Sequence, residues 1–114
     1  MYYIIFDLEM TMWATKVFKM EDGYVVYDKK RRIVMEKPIQ EVIEIGAIKL
    51  NEFFNPIETF SMFVRPRYCP VTTRCTQLTG ITQLDVEHSP QFRKAMNKFA
   101  EWIMSTGDEY SLYS

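Results

Sequence analysis

The chain opens with Tyr2-Tyr3-Ile4-Ile5-Phe6 running straight into Asp7-Leu8-Glu9, and this junction limits the possible folds more than any other segment. A short aromatic and β-branched run closed by acids is the pattern of a central strand buried on both faces. Asp7 and Glu9 stand two residues apart at its end, so their side chains share one face, about 6 to 7 Å apart along the backbone. Two carboxylates beside an apolar run repel each other and are costly to desolvate unless a cation neutralises them. Oxygen ligands of this kind suit Mg²⁺ or Mn²⁺. The spacing leaves a second reading open, in which the strand simply ends in solvent and its acids face water.

Between Met12 and Gln40 the pattern loosens into an excursion with one expected hairpin over residues 20–38, Lys29 to Arg32 lying near its tip. Four adjacent cations invite a nucleic-acid reading, but a solvated hairpin tip explains them as well. Glu41 to Leu50 (EVIEIGAIKL) reads as a second core strand, with a bulge or a close backbone approach expected at Gly46. Asn55-Pro56 marks a turn, and Glu58 to Val64 (ETFSMFV) is a third strand, antiparallel to the second and stopped by Arg65-Pro66. After Pro70 the signals turn helical. Thr72 or Thr73 caps one short helix ending at Gly80, and Thr82 caps another through Val86.

Ser89-Pro90 then opens the longest helix, with Ser89 as N-cap and Pro90 at the first helical position. It runs to about Ser105, and Phe92, Ala95, Met96, Phe99, Trp102 and Ile103 form an apolar face suited to a sheet. Gly107 ends it, and Glu109 to Ser114 (EYSLYS) begins a fourth strand. A three-strand meander, a helical crossover and a fourth strand parallel to the first make the opening of a ribonuclease H-like α/β fold, incomplete at the C-terminus.

At 114 residues the chain is one domain or part of one. Its 47% hydrophobic content is too high for a disordered segment, and no apolar run approaches the roughly 20 residues of a membrane span. No basic leader precedes the first strand, which argues against a signal peptide, and a cytoplasmic protein without membrane contact is expected. Cys69 and Cys75 lack a second Cys or His pair at ligand spacing, so they are expected to be reduced and structural. A net charge of −1 supplies no general field for phosphates, so any contact with nucleic acid has to be local.

The segment FDLEMT, Phe6 to Thr11, resembles the first motif of the DEDD 3′-to-5′ exonucleases, an Asp-x-Glu followed two residues later by Thr. EVIEIGAIKL is similar to that family's second strand, FVRP (Phe63 to Pro66) to the end of its third, and LTGI (Leu78 to Ile81) to the segment that receives the terminal nucleotide. Asp-x-Glu alone is a weak signal, but the four segments occur in order over nearly the whole chain. The nearest resemblance is to the histone-mRNA and small-RNA exonucleases and a bacterial sporulation-inhibitor exonuclease, members of the DEDDh type.

The resemblance implies that Asp7 binds both of two catalytic Mg²⁺ or Mn²⁺ ions, that Glu9 helps hold the nucleophile-side ion, and that the partner is a single-stranded nucleic-acid 3′ end. It also implies that Met10, Thr11 and Met12 face the last sugar while Leu78 and Ile81 pack on the terminal base, with Gly80 allowing close approach. Core packing is the alternative for Leu78 and Ile81.

The family's second motif brings an Asp after a strand resembling EYSLYS, and its third brings a His base and a final Asp; none of these lies within residues 1–114. Asp108 precedes that strand and His88 precedes the long helix, so neither is assigned a role. Arg65, Arg67 and Arg74 flank the expected substrate segment without a specific phosphate contact being assigned to any of them. The expectation is therefore the N-terminal part of a single exonuclease domain, inactive as these 114 residues alone. A non-catalytic module binding a nucleic-acid end or a protein is the competing function.

Overall fold

The computed structural model describes residues 1–11, 40–105, 107 and 109–114. The expected hairpin over 20–38 and the positions Met12 and Asp108 lie outside these described residues. Strands β1 (Tyr2–Met10), β2 (Val42–Leu50) and β3 (Pro56–Phe63) form an antiparallel meander. Helices α1 (Thr73–Thr79), α2 (Gln83–Val86) and α3 (Phe92–Met104) follow, and β4 (Tyr110–Tyr113) then pairs parallel to β1. The sheet order is β3-β2-β1-β4, the mixed arrangement expected from the order of elements. Among the described residues no helix is long and apolar enough to cross a membrane.

β1 is longer than its apolar run. It continues through Met10 because Asp7, Leu8 and Glu9 still pair with Gly46, Ile45 and Glu44 of β2. The acids therefore lie inside a hydrogen-bonded strand, not beyond its end. β1 is also not buried on both faces: Ile4 is fully buried, but Ile5 is 44% exposed, because no described element covers its half of that face.

The two cores lie on opposite faces of the sheet. Val42, Ile45 and Val64 pack against Ala95 and Phe99 of α3, joined by Phe6, Phe60 and Trp102. Ile43 packs instead with Val71, Cys75, Ile81 and Val86, the layer containing α1 and α2. Neighbours on one strand can serve different layers as Val42 and Ile43 do, but the pairing shows an irregularity as well. Glu9 faces Glu44 whereas Met10 faces Val42, so Ile43 is an extra residue on β2. A bulge of this kind turns a side chain out of strict alternation, and here it leaves Ile43 and Glu44 on the α1 side. The bulge expected at Gly46 is therefore misplaced: a Cβ there would meet only the Asp7 carbonyl oxygen, at 4.0 Å, an ordinary contact.

α1 and α2 begin and end where the sequence places them. The Thr72 hydroxyl accepts from the Cys75 amide, and Gly80 closes α1 at φ 80°. Thr82 and Asp85 form a reciprocal capping box on α2. α3 differs. Its N-cap is Gln91, with no side-chain cap bond, and not Ser89. The Arg65 amide donates to the Pro90 carbonyl at 2.9 Å and the Ser89 amide to Val86, so these residues serve a bridge to β3 and the end of α2. Phe92 and Met96 are exposed, while Ala95, Phe99, Trp102 and Ile103 keep the expected sheet-facing stripe.

At the far end of α3, Lys49 is fully buried. Its ammonium donates to the Trp102 carbonyl at 3.0 Å and the Ser105 hydroxyl at 3.3 Å, lies 3.5 Å from the Glu58 carboxylate, and sits 4.5 Å from the Trp102 ring centre. A cation at a helix C-terminus is favoured by the helix dipole, so this lysine fastens β2 and β3 to α3.

Candidate active site

Strand alternation places Asp7 and Glu9 on the same face of β1, and the pairing adds two residues of β2 to that face: Gly46 opposite Asp7 and Glu44 opposite Glu9. Gly46 contributes no side chain, so the space beside Asp7 stays open. Asp7 is exposed, Glu9 and Glu44 are half-buried, and one Asp7 carboxylate oxygen accepts from the Leu8 amide at 3.0 Å. Burial, then the negative charge of Glu9, then that of Asp7, raises the Glu44 carboxyl above its ordinary value of 4.5. Three acids thus share one patch of sheet, with no described cation in ion-pair contact with them.

This patch suits a divalent cation in donor type, in shared face and in unneutralised charge. It is only part of a ligand set, because among the described residues no three His, Cys, Asp or Glu side chains converge closely enough to hold a metal ion. Asp7 and Glu9 are the two that β1 presents together. Glu44 does not stand out in the sequence. The available signal is an acid in an otherwise apolar strand, and its meaning depends on a register that only the folded sheet shows.

The remaining positions separate by burial. The Met10 carbonyl lies 3.7 Å from the Cys75 thiol, which seats α1 against the end of β1. Thr11 is buried: its amide donates to the Glu41 carbonyl and its hydroxyl accepts from the Glu41 amide, so this side chain ties β1 to the start of β2. Leu78, one turn beyond Cys75, is 65% exposed, whereas Ile81 is 5% exposed within the α1 and α2 core. Leu78 is therefore free to meet a ligand, and the Ile81 side chain packs in the core. Gly80 has open space around the position of a Cβ, and its left-handed φ of 80° favours glycine there. Thr76 and Thr79 bracket that turn, donating to the Ile81 carbonyl at 2.7 Å and accepting from the Ile81 amide at 3.1 Å respectively.

Glu41 is a second residue whose role the sequence does not disclose. Its carboxylate accepts from the amides of Arg67, Tyr68 and Cys69 at 2.6 to 2.9 Å and so fixes the loop after β3. Both cysteines are buried and neither is in a disulfide. Burial and then the Glu41 charge push the Cys69 thiol up to about 11, which keeps it protonated at neutral pH. His88 is exposed beside the start of α3.

A mixed sheet in which a three-strand meander is joined through helices to a fourth strand parallel to the first is the opening of a ribonuclease H-like fold. The RNase_T exonuclease family model matches residues 4–107, most of the chain, and the chain belongs to that family. The chain is 31% identical over 110 residues to zebrafish (Danio rerio) ERI1 exoribonuclease 2, an alignment covering 95% of this chain and 16% of that protein. It is 40% identical over 70 residues to human (Homo sapiens) ERI1 exoribonuclease 3, covering 60% of this chain and 21% of that one.

The fold matches the solved nuclease domain of 3′hExo, a DEDDh family member, bound to rAMP. The TM-score is 0.68 at 24% identity, over 97% of this chain and 50% of that domain. The family resemblance carried by FDLEMT, EVIEIGAIKL, FVRP and LTGI is borne out. The chain spans about a sixth of the length of the zebrafish relative.

Proposed function

We propose that the protein to which this chain belongs is a divalent-metal-dependent 3′-to-5′ exonuclease of the DEDDh type, and that residues 1–114 supply the first half of its active site. The observation that carries this reading is the acid patch itself: Asp7 and Glu9 fixed on one face of a paired strand, opposite Glu44 and Gly46. Asp7 and Glu9 would hold two Mg²⁺ or Mn²⁺ ions. When bound, such ions polarise a phosphoryl oxygen and lower the pKa of a water molecule.

The chain's own residues bind and orient. The β1 backbone, paired to β2 at both Asp7 and Glu9, holds the two carboxylates in place, and the bare Gly46 leaves room beside Asp7 for a phosphate. Leu78 offers an exposed apolar side chain on a helix seated at Met10, suited to packing against a terminal base, with the Gly80 turn beside it. The backbone at Met10 and Thr11 would pass the last sugar. Hydrolysis forms a bond between the water oxygen and phosphorus and breaks the bond from phosphorus to the upstream O3′. A nucleoside 5′-monophosphate leaves, and the shortened strand keeps a 3′-hydroxyl.

The test is degradation of a 5′-labelled single strand by the protein at full length with Mn²⁺. The wild type is expected to yield a ladder shortened from the 3′ end, and Asp7→Ala to reduce the rate by at least about a thousandfold, near 4 kcal/mol of transition-state stabilisation. A full-length wild type that hydrolyses nothing would move the non-catalytic binding module ahead of the enzyme.

A further inference from the structure

A groove of about 670 Å³ lies off the β3 edge of the sheet, where the loop after β3 meets the start of α3. Every ionisable side chain that lines it is basic: Arg65, His88, Arg93, Lys94 and Lys98, with Asn97 among them. The groove gathers four of the 14 Lys and Arg of a chain whose net charge is −1. None of the four is in an ion pair among the described residues.

The arrangement follows from how α3 docks. Ala95 and Phe99 are turned into the sheet, which leaves Lys94 and Lys98 exposed one turn apart, about 6 Å along the axis, with Arg93 and Asn97 in the same relation. The opposite wall is Arg65, fastened by its amide to the Pro90 carbonyl at 2.9 Å. Among the described residues the solvent-shielded Arg65 Nε–H has no acceptor, and the half-buried Arg65 side chain lines the groove with no ion-pair partner among them.

The groove also stands in a defined relation to the acids. Phe63, two residues before Arg65, pairs with Glu44, which pairs with Glu9. Arg65 therefore lies at the same end of the sheet as the carboxylates, two strand spacings, roughly 10 Å, to the side, while Arg93, Lys94 and Lys98 stand on the α3 side, across the β3 edge from the acids. A polyanionic strand whose terminus reaches Asp7 and Glu9 meets repulsion there, and it gains attraction only where cations face its backbone.

We propose that this groove holds backbone phosphates of the nucleic acid upstream of the end that reaches Asp7 and Glu9. The contact is independent of sequence. It rests on the nuclease reading for its ligand but not on catalysis.

The experiment is a fluorescence-anisotropy titration of the full-length protein, in EDTA, with a 5′-fluorescein oligouridylate at several salt concentrations, comparing wild type with Lys94→Ala/Lys98→Ala. Both lysines are exposed, and an unchanged thermal transition checks that the variant folds. The variant is expected to bind more weakly, and the slope of log K against log salt to flatten by about 1.4, at about 0.7 for each phosphate that the lysines no longer neutralise. In the presence of Mn²⁺, hydrolysis of a dinucleotide stays at the wild-type rate while KM for the long strand rises. Binding and slope unchanged by the variant overturn the groove alone. Wild type that binds no strand overturns the nuclease reading with it. A loss confined to phosphatidylserine vesicles would reassign the groove to a membrane surface and overturn the proposal.

Discussion

On the α3 side of the sheet, Phe6, Phe60, Phe99 and Trp102 meet ring to ring at 5.2 to 6.1 Å and close over Val42, Ile45 and Val64. On the other side, among the described residues, α1 and α2 cover the part around Ile43 and Phe63, and beyond it lie three acids, a glycine and the half-exposed Ile5. The same three strands build both. Because strand neighbours alternate between faces, one segment such as Phe6-Asp7-Leu8-Glu9 can anchor a core with one residue and arm a site with the next. The face that carries stability and the face that carries chemistry are thereby separable, and each can be disturbed on its own.

The largest expected stability effect is on the packed face. Phe99 is buried against three aromatic rings, and Phe99→Ala should lower the unfolding free energy by about 4 kcal/mol in urea titration. That is a large share of what a domain of this size has. A loss below about 1 kcal/mol would mean that α3 is not the main support of the sheet.

The open face should respond in the opposite direction. A carboxyl whose folded-state value is raised binds its proton more tightly folded than unfolded. Its ionised form therefore costs stability, and stability falls as pH rises from 4.5 through the raised value. Glu44→Gln removes that cost. In EDTA it should raise Tm at about neutral pH, and the gain should vanish below 4.5, where both states are protonated. A Glu44→Gln variant that is less stable than wild type at neutral pH would show that the three acids do not strain the metal-free sheet.

What the sequence disclosed, and what it did not, follows the same division. Element order and the helix caps at Thr72, Gly80 and Thr82 are local, and they are legible because one or two side chains decide each. The Asp7 and Glu9 pair is legible for the same reason, since two positions on one strand always share a face. Glu44 and the bulge at Ile43 were hidden because they depend on how β1 and β2 register. The start of α3 was misplaced because the Pro90 carbonyl is taken by Arg65, which lies 25 residues away in the chain. The basic groove stayed out of sight for that reason too: Arg65 and Lys94 become neighbours only through this bridge. Leu78 and Ile81 look alike in LTGI, and only the turn at Gly80 sends one to solvent and the other into the core.

If the exposed acids of β1 are there to hold a divalent cation, removing their charge should weaken metal binding without unfolding the sheet. The most direct measurement is Mn²⁺ binding by isothermal titration calorimetry to the full-length protein and to Asp7→Asn/Glu9→Gln, without nucleic acid. Affinity of the double variant is expected to be weaker by at least about tenfold, 1.4 kcal/mol, with the folded state otherwise intact. Equal Mn²⁺ affinity in the two proteins would contradict the metal role and leave Asp7 and Glu9 as no more than the solvent-facing end of a strand.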